Sequence, residues 1–319
     1  MDLKKLFRKE KHHTKGLMAL EWVIVVYAAI TMVIVLFGID KLRYPDAMIE
    51  TRVRLVAITL GMWAVYKLVP CRLTRLARVV VQMGLLSWWY TDTYYLNCLF
   101  PNLDHLFAQV EQHLFGCQPA LQFAIRWPQI VVSEMMDMAY ASYFPIIATT
   151  ALYYFFKRYR DFEWAAFVIM ASFFSFYIIY DLLHVVGPMY YYKAVGPDQI
   201  TTGVFPAVGH YFSDHLEMMT SPGYADGVFY NLLHAVHSSG ERPTAAFPSS
   251  HVGISVLCLL LAWHTRSRRL FFSLLPFAVL ICFATVYIRA HYVIDVFAGL
   301  FFGVAFYAFW AYTGRRMKI

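Results

Sequence analysis

Apolar runs about as long as a bilayer is thick recur almost from end to end of this 319-residue chain. Such a run of ~20 residues has few alternatives to a membrane-spanning helix, because hydrocarbon cannot satisfy an open backbone. The runs fall at about 18–39, 53–69, 78–99, 129–156, 163–186, 248–264, 270–288 and 292–312. The expected fold class is therefore all-α, a polytopic membrane helical bundle of about eight transmembrane helices. Composition agrees: 60% of the residues are hydrophobic and 15% charged, whereas soluble domains are roughly half apolar and a quarter charged. Met1 to Lys15 reads as a basic tail leading into a first anchor, since no small-residue cleavage site follows it.

Short cytoplasmic loops carry an excess of Lys and Arg. With the N-terminus inside, the clusters Lys4 to Lys15, Lys67 to Arg78, Lys157 to Arg160, Arg266 to Arg269 and Arg315 to Lys318 all become cytoplasmic. The run at 78–99 carries Asp92 and is the weakest span, but removing it would move the basic tail outside. Lys41, Arg43, Arg52 and Arg54 run against the pattern, in an outer loop. Both termini are thus expected in the cytoplasm. The formal net charge of +7 is accounted for by these clusters, so the expected partner is the lipid bilayer and not nucleic acid. Residues 1–77 read as the tail and two accessory spans, and residues 78–319 as the membrane core. Within that core, residues 187–247 are rich in Gly, Pro, Tyr and His and are expected to form an ordered cap over the outer mouth.

On this topology Asp92, Glu134, Asp137, Asp181, His184, His251, Arg289, His291 and Asp295 all lie near the outer ends of spans. A charge in hydrocarbon costs about 3 kcal/mol or more without a partner or a polar cavity, so their shared depth predicts a shared hydrated pocket. Two segments in this layer carry chemistry. Phe247-Pro248-Ser249-Ser250-His251 opens a span, with Pro248 at the expected first helical position. Accessible first-turn amides, the positive end of the helix dipole, two hydroxyls and an imidazole would then converge on one anion site. In Arg289-Ala290-His291-Tyr292-Val293-Ile294-Asp295, His291 and Asp295 are spaced i, i+4 and share one helical face. A carboxylate so placed can accept the imidazole Nδ1 proton and leave Nε2 free to attack phosphorus.

These segments resemble the second and third signature motifs, PSGH and SRxxxxxHxxxD, of the type 2 phosphatidic acid phosphatase superfamily. Pro248, Ser249, His251, His291 and Asp295 match, and Ser250 replaces the usual glycine. The resemblance implies a six-helix core with His291 as nucleophile, Asp295 orienting it and His251 protonating the leaving group. Ala284 and Thr285 occupy the serine and arginine positions of the third motif, so Arg289 is the candidate replacement for the phosphate-binding arginine. The first motif, KxxxxxxRP, is not found at its usual distance, although Arg242-Pro243 lies just before Pro248. Phe115-Gly116-Cys117-Gln118-Pro119, Met136-Asp137-Met138-Ala139-Tyr140 and Gly187-Pro188 further resemble the branch containing inositol phosphorylceramide synthases. That branch implies a phospholipid donor and a lipid alcohol acceptor.

The substrate-binding candidates are therefore Arg242, Ser249, Ser250 and Arg289. Asp137 and Asp181 join them, to orient an acceptor hydroxyl or headgroup, or else to hydrogen-bond between helices. No cofactor is implied. No metal is expected either: His210, Asp214, His215, Glu217, His234 and His237 have suitable donors for zinc but no diagnostic spacing. Three classes remain open: a lipid phosphotransferase, a phosphatase acting on phosphatidate or a polyprenyl diphosphate, and a transporter. The last is disfavoured because no ionisable residue continues the outer cluster through the inner half of a span.

Overall fold

The computed structural model describes residues 4–10, 16–238 and 241–319. Its helices are α1 (Lys4–Phe7), α2 (Ala19–Phe37), α3 (Pro45–Leu68), α4 (Arg72–Asn97), α5 (Asp104–Phe115), α6 (Pro119–Arg126), α7 (Ile130–Ala141), α8 (Tyr143–Lys157), α9 (Phe162–Leu182), α10 (Pro188–Val195), α11 (Pro197–Thr201), α12 (Val228–Ser238), α13 (Ser250–His264), α14 (Arg268–Tyr287) and α15 (Val293–Arg316). No extended strand occurs among the described residues. The molecule is an all-α polytopic membrane bundle. Ala19–Phe37, Tyr159–Leu182, Arg268–Tyr287 and Val293–Arg316 are each long and apolar enough to cross a bilayer alone. All eight apolar runs are helical.

Two of the expected spans are corrected. The run at 129–156 is two helices, α7 and α8, separated at Ser142. Pro145 explains the break, since it removes a helical donor and its ring crowds the carbonyl four residues back, that of Ala141. The run at 53–69 belongs to a helix that begins at Pro45, so Arg52 lies inside α3 and not in a loop. Its charge is tolerated because Arg52 Nη1 and Nη2 donate to Asp92 Oδ1 and Oδ2 of α4 at 3.0 and 2.6 Å, and Arg52 Nε donates to Thr31 Oγ1 of α2 at 3.1 Å. The acid that made 78–99 look weak as a span is this arginine's partner.

α9 is the central element, packed against α2, α4, α8, α13 and α15. Its apolar residues run round the whole circumference, as expected of a helix enclosed on all sides. Beside it α13 and α15 meet across glycine. A Cβ on Gly303 would stand 2.5 Å from the Gly253 carbonyl oxygen, and one on Gly299 would stand 2.5 Å from that of Ser249. No side chain fits between the two backbones there, which is how small residues let membrane helices approach closely.

Arg52 and Asp92 are 1% and 5% exposed, so removing one partner strands the other charge. Arg52→Leu should lower stability in detergent by about 3–5 kcal/mol, and Arg52→Leu with Asp92→Leu by much less. Equal losses in the two proteins, measured by denaturant titration, would show that the pair's charge balance is not what holds α3 to α4.

Candidate active site

His251 lies in the first turn of α13. The N-cap is Ser249, whose Oγ accepts from Val252 N at 3.4 Å, so Pro248 stands before the cap and not at the first helical position. Ser250 N donates to Tyr180 Oη at 3.1 Å. With the Ser250 and Val252 amides both engaged, the helix start offers an anion fewer donors than the sequence suggested. Ser249 is fully buried, whereas Ser250 lines a small cavity with His251 and His291. The His251 ring packs on Tyr140 and Tyr143, at centroid distances of 4.4 and 4.3 Å.

His291 enters from the opposite wall. Beyond α14 the chain turns through Arg289 at φ +68°, and His291 N donates to Thr285 O at 3.0 Å. The His251 and His291 ring centroids are 5.7 Å apart. The Nδ1 atom of His291 is 2.7 Å from the Ala246 carbonyl oxygen and 3.5 Å from Asp295 Oδ2. A carbonyl only accepts, so Nδ1 carries the proton and the neutral ring keeps its lone pair on Nε2. The tautomer expected from Asp295 is thus set by a backbone carbonyl instead. Asp295 Oδ2 accepts from Tyr292 N at 2.8 Å, within a capping box at the start of α15. Burial pushes the His291 imidazole down to about 4, against the Ala246 bond and the Glu241 charge, which raise it.

Two buried acids on α5 hold this arrangement, and sequence reasoning missed both. Asp104 Oδ1 accepts from Gly187 N at 2.8 Å and Tyr292 Oη at 3.0 Å, while Oδ2 accepts from Val186 N at 2.8 Å. Gly187, at φ +89°, comes so close to the His291 loop that a Cβ would stand 2.4 Å from the Ala290 carbonyl oxygen. Glu111 Oε1 accepts from Val293 N at 2.5 Å and Ile294 N at 3.2 Å, placing an acid at the positive start of α15. Burial pushes the Glu111 carboxyl up to about 8, with the amides opposing and Asp295 reinforcing. A sequence signal existed, since Asp104, Ala108 and Glu111 form one buried face of α5 at i, i+4 and i+7.

The expected common pocket divides into separate networks. The cavity is lined by Tyr90, Tyr140, Tyr190, Glu241, Ser250, His251 and His291, with Met189 and smaller residues between them. Asp92 pairs with Arg52, and Asp181 Oδ2 accepts from Tyr27 Oη at 2.9 Å. Glu134 accepts from Phe229 N and Tyr230 N, both at 3.0 Å, at the start of α12. His184 Nδ1 lies 2.9 Å from the Phe100 carbonyl oxygen. Asp137 is fully buried in α7, near Gly223. Arg289 Nη1 donates to Thr220 O at 3.4 Å, and the positive charge of Arg242 acts on Tyr94 and Tyr190; neither guanidinium is among the described lining residues. Glu241, unremarked in the sequence, is.

Among the loop candidates, Asp214 pairs with Arg43 at 3.0 Å, and His215 stacks on Tyr211 with ring centroids 3.9 Å apart. His234 stacks on Tyr230, and the side chain of His237 lies outside the described residues. No group of three or more His, Cys, Asp or Glu poised to hold a metal occurs among the described residues.

Residues 105–309 match the family model of the PAP2 superfamily. The match covers well over half of the chain, and the chain belongs to that superfamily. Membership points to phosphoryl chemistry of the phosphatase or phosphotransferase type on lipid-like substrates. Searches of curated proteins and of solved structures return no match.

Because burial lowers the His291 pKa to about 4, the ring stays neutral through the mildly acidic range and gains its proton only near that value. Carbethoxylation of His291, followed by mass spectrometry, should proceed at a constant rate from pH 8 to about 5 and slow only below that, since the reagent attacks neutral imidazole. A midpoint near the ordinary histidine value would show that water reaches the ring freely.

Proposed function

We propose that the protein is a membrane lipid phosphotransferase. It moves a phosphorylated headgroup, such as phosphoinositol, from a glycerophospholipid to a ceramide-like alcohol through a phosphohistidine intermediate. The observation that carries this reading is the pair of imidazoles facing one cavity, with the Nδ1 proton of His291 committed to Ala246. His291 Nε2 attacks phosphorus, the bond to the diacylglycerol oxygen breaks, and His251 gives that oxygen a proton. The acceptor hydroxyl then passes its proton to His251 and attacks phosphorus. The phosphorus–nitrogen bond breaks and His291 is regenerated. Asp295 sits behind the His291 ring as the nearby carboxyl group.

Transfer is favoured over hydrolysis by what surrounds the pair. Tyr90, Tyr140 and Tyr190 wall the cavity. The segment following α9 packs onto the His291 loop, with Met189 N donating to Arg289 O and Met219 N to Met189 O, both at 2.8 Å. A covered aromatic site limits water and gives an alcohol held beside the phosphoenzyme the advantage of proximity. Two of the segments that resemble the inositol phosphorylceramide synthases also reach this wall, through Tyr140 against His251 and Gly187 against Ala290.

His291→Ala should abolish the phosphoenzyme trapped from labelled phosphatidylinositol while leaving the melting temperature nearly unchanged. Asp295→Asn, which keeps an oxygen for the Tyr292 amide, should cost about 10²-fold in rate. With the wild type, labelled product should form on ceramide faster than headgroup phosphate is released to water. Equal release with and without ceramide, and no phosphorylated ceramide, would establish the phosphatase instead.

In the proposed topology both termini are cytoplasmic and residues 187–247 face the periplasm, lumen or exterior, as the basic loops require. A cysteine placed at exposed Thr202 should react with an impermeant maleimide in intact cells or in sealed vesicles of matching orientation. Labelling only after permeabilisation would invert the topology.

A further inference from the structure

Helix α5 has 12 residues, about 18 Å of length, and cannot cross ~30 Å of hydrocarbon. Its exposed surface nevertheless differs from that of a helix in water. Leu106, Val110 and Leu114 recur at i, i+4 and i+8, so they form one stripe, and they are 47, 45 and 61% exposed. Gln109 and His113, also four apart, are exposed on a second stripe, which the half-buried His105 and Gln112 widen. Asp104, Ala108 and Glu111 fill the remaining, buried side. The circumference is thus divided into an apolar exposed side, a polar exposed side and a side packed on the protein.

A helix of a soluble protein has a buried side and a wet side, whereas a spanning helix meets lipid wherever the bundle leaves it open. Three sides, facing protein, hydrocarbon and water, belong to a helix lying in the plane of the bilayer surface. We propose that α5 is such an interfacial helix, with Leu106, Val110 and Leu114 inserted among the acyl chains of the leaflet nearest the cavity and Gln109 and His113 turned to water. The chain marks the same level on leaving it. After α6, Trp127 stands exposed just before α7, with Ile130 and Val131 exposed in the first turn, and an aromatic ring at the head of a membrane run sits at the bilayer boundary. Three side chains offer too little area for a second copy of the chain, since stable pairs bury about 800 Å² on each partner. The third side is the one that reaches the site: Asp104 accepts from Gly187 N and Tyr292 Oη, and Glu111 from Val293 N. Lipid contact on one side of α5 therefore seats the His291 loop near headgroup depth, where a lipid phosphate is presented without leaving the leaflet.

The test places the photo-crosslinking residue p-benzoylphenylalanine at Val110 or at Gln109 of the full chain, reconstituted in phosphatidylcholine liposomes. After irradiation, intact-protein mass spectrometry separates an added lipid, a covalent dimer and no addition, and the readout needs no turnover, so it stands or falls apart from the phosphotransferase reading. Position 110 should give about fivefold or more the lipid adduct of position 109. Phe301, 67% exposed on α15, is the control for a lipid-facing site, and Leu114 replaces Val110 if that variant does not fold. Equal lipid yields at 110 and 109 would overturn the proposal. So would a covalent dimer as the main product at 110, which would assign the stripe to a second copy, or no lipid adduct at 110 when position 301 gives one.

Discussion

The relation between the two imidazoles depends on how closely α13 approaches α15. Gly299 and Gly303 present bare backbone to Ser249 and Gly253, and no Cβ fits at either contact. Association of helices in lipid gains little from the hydrophobic effect, so dispersion across such close contacts carries much of the interaction. Here the contact also fixes register. Ser249 N donates to the Asp295 carbonyl at 3.0 Å, tying the start of one helix to the start of the other. His251 lies two residues beyond Ser249, and His291 four residues before Asp295. Sliding one helix along the other would break that bond and move the two rings apart.

The remaining buried charges hold the bundle together away from the cavity. Arg52 and Asp92 join α3 to α4, Asp181 joins α9 to Tyr27 of α2, and at the opposite end Arg78 Nε donates to Glu21 Oε1 at 2.7 Å with both side chains fully buried. In low-dielectric surroundings a lone charge is expensive, so each of these pairs specifies which helices are neighbours more than it adds stability. Helices α2 and α3 are thereby fixed to α4 and α9 by groups that are not among the described lining residues of the cavity. Expecting a shared pocket from shared depth treated all these residues alike. Depth follows from position in a span, but whether a charge faces a partner or a cavity depends on helix rotation and neighbours.

What was legible in the sequence follows the same division. Hydropathy is a local property, so all eight runs appear as helix, and Pro145 alone accounts for the split of one of them. His291 and Asp295 were legible from their i, i+4 spacing, although α15 begins only at Val293 and His291 stands in the loop before it instead of on its face; His251 was legible because Pro248, Ser249 and Ser250 mark a helix start. The Ala246 carbonyl was not: it lies 45 residues from His291 in sequence and every residue type has one. The Arg52–Asp92 pair spans 40 residues; Asp92 alone argued against its span, and Arg52 alone ran against the charge pattern of an outer loop. Glu241 stands in no periodic relation to the motifs, and only the fold of residues 241–247 against Val185 and His291 brings it to the cavity. Asp104 and Glu111 were readable in principle, as acids on the buried face of an amphipathic helix.

Replacing a carboxylate by a carbonyl at Nδ1 also changes what Asp295 can contribute. In the resting protein the neutral His291 ring gives its one proton to Ala246, and Asp295 stands 3.5 Å away with Oδ1 buried and without a hydrogen-bond partner among the described residues. An unsatisfied buried oxygen is unfavourable. On the proposed path the ring becomes positively charged as Nε2 bonds to phosphorus, and a carboxyl group with Oδ2 3.5 Å from Nδ1 interacts more strongly with the charged ring than with the neutral one. An interaction that grows between ground state and transition state lowers the barrier, whereas one fully formed in the resting ring would only stabilise the starting point. On that path the Ala246 carbonyl sets the tautomer, and the proposed role of Asp295 begins when charge develops.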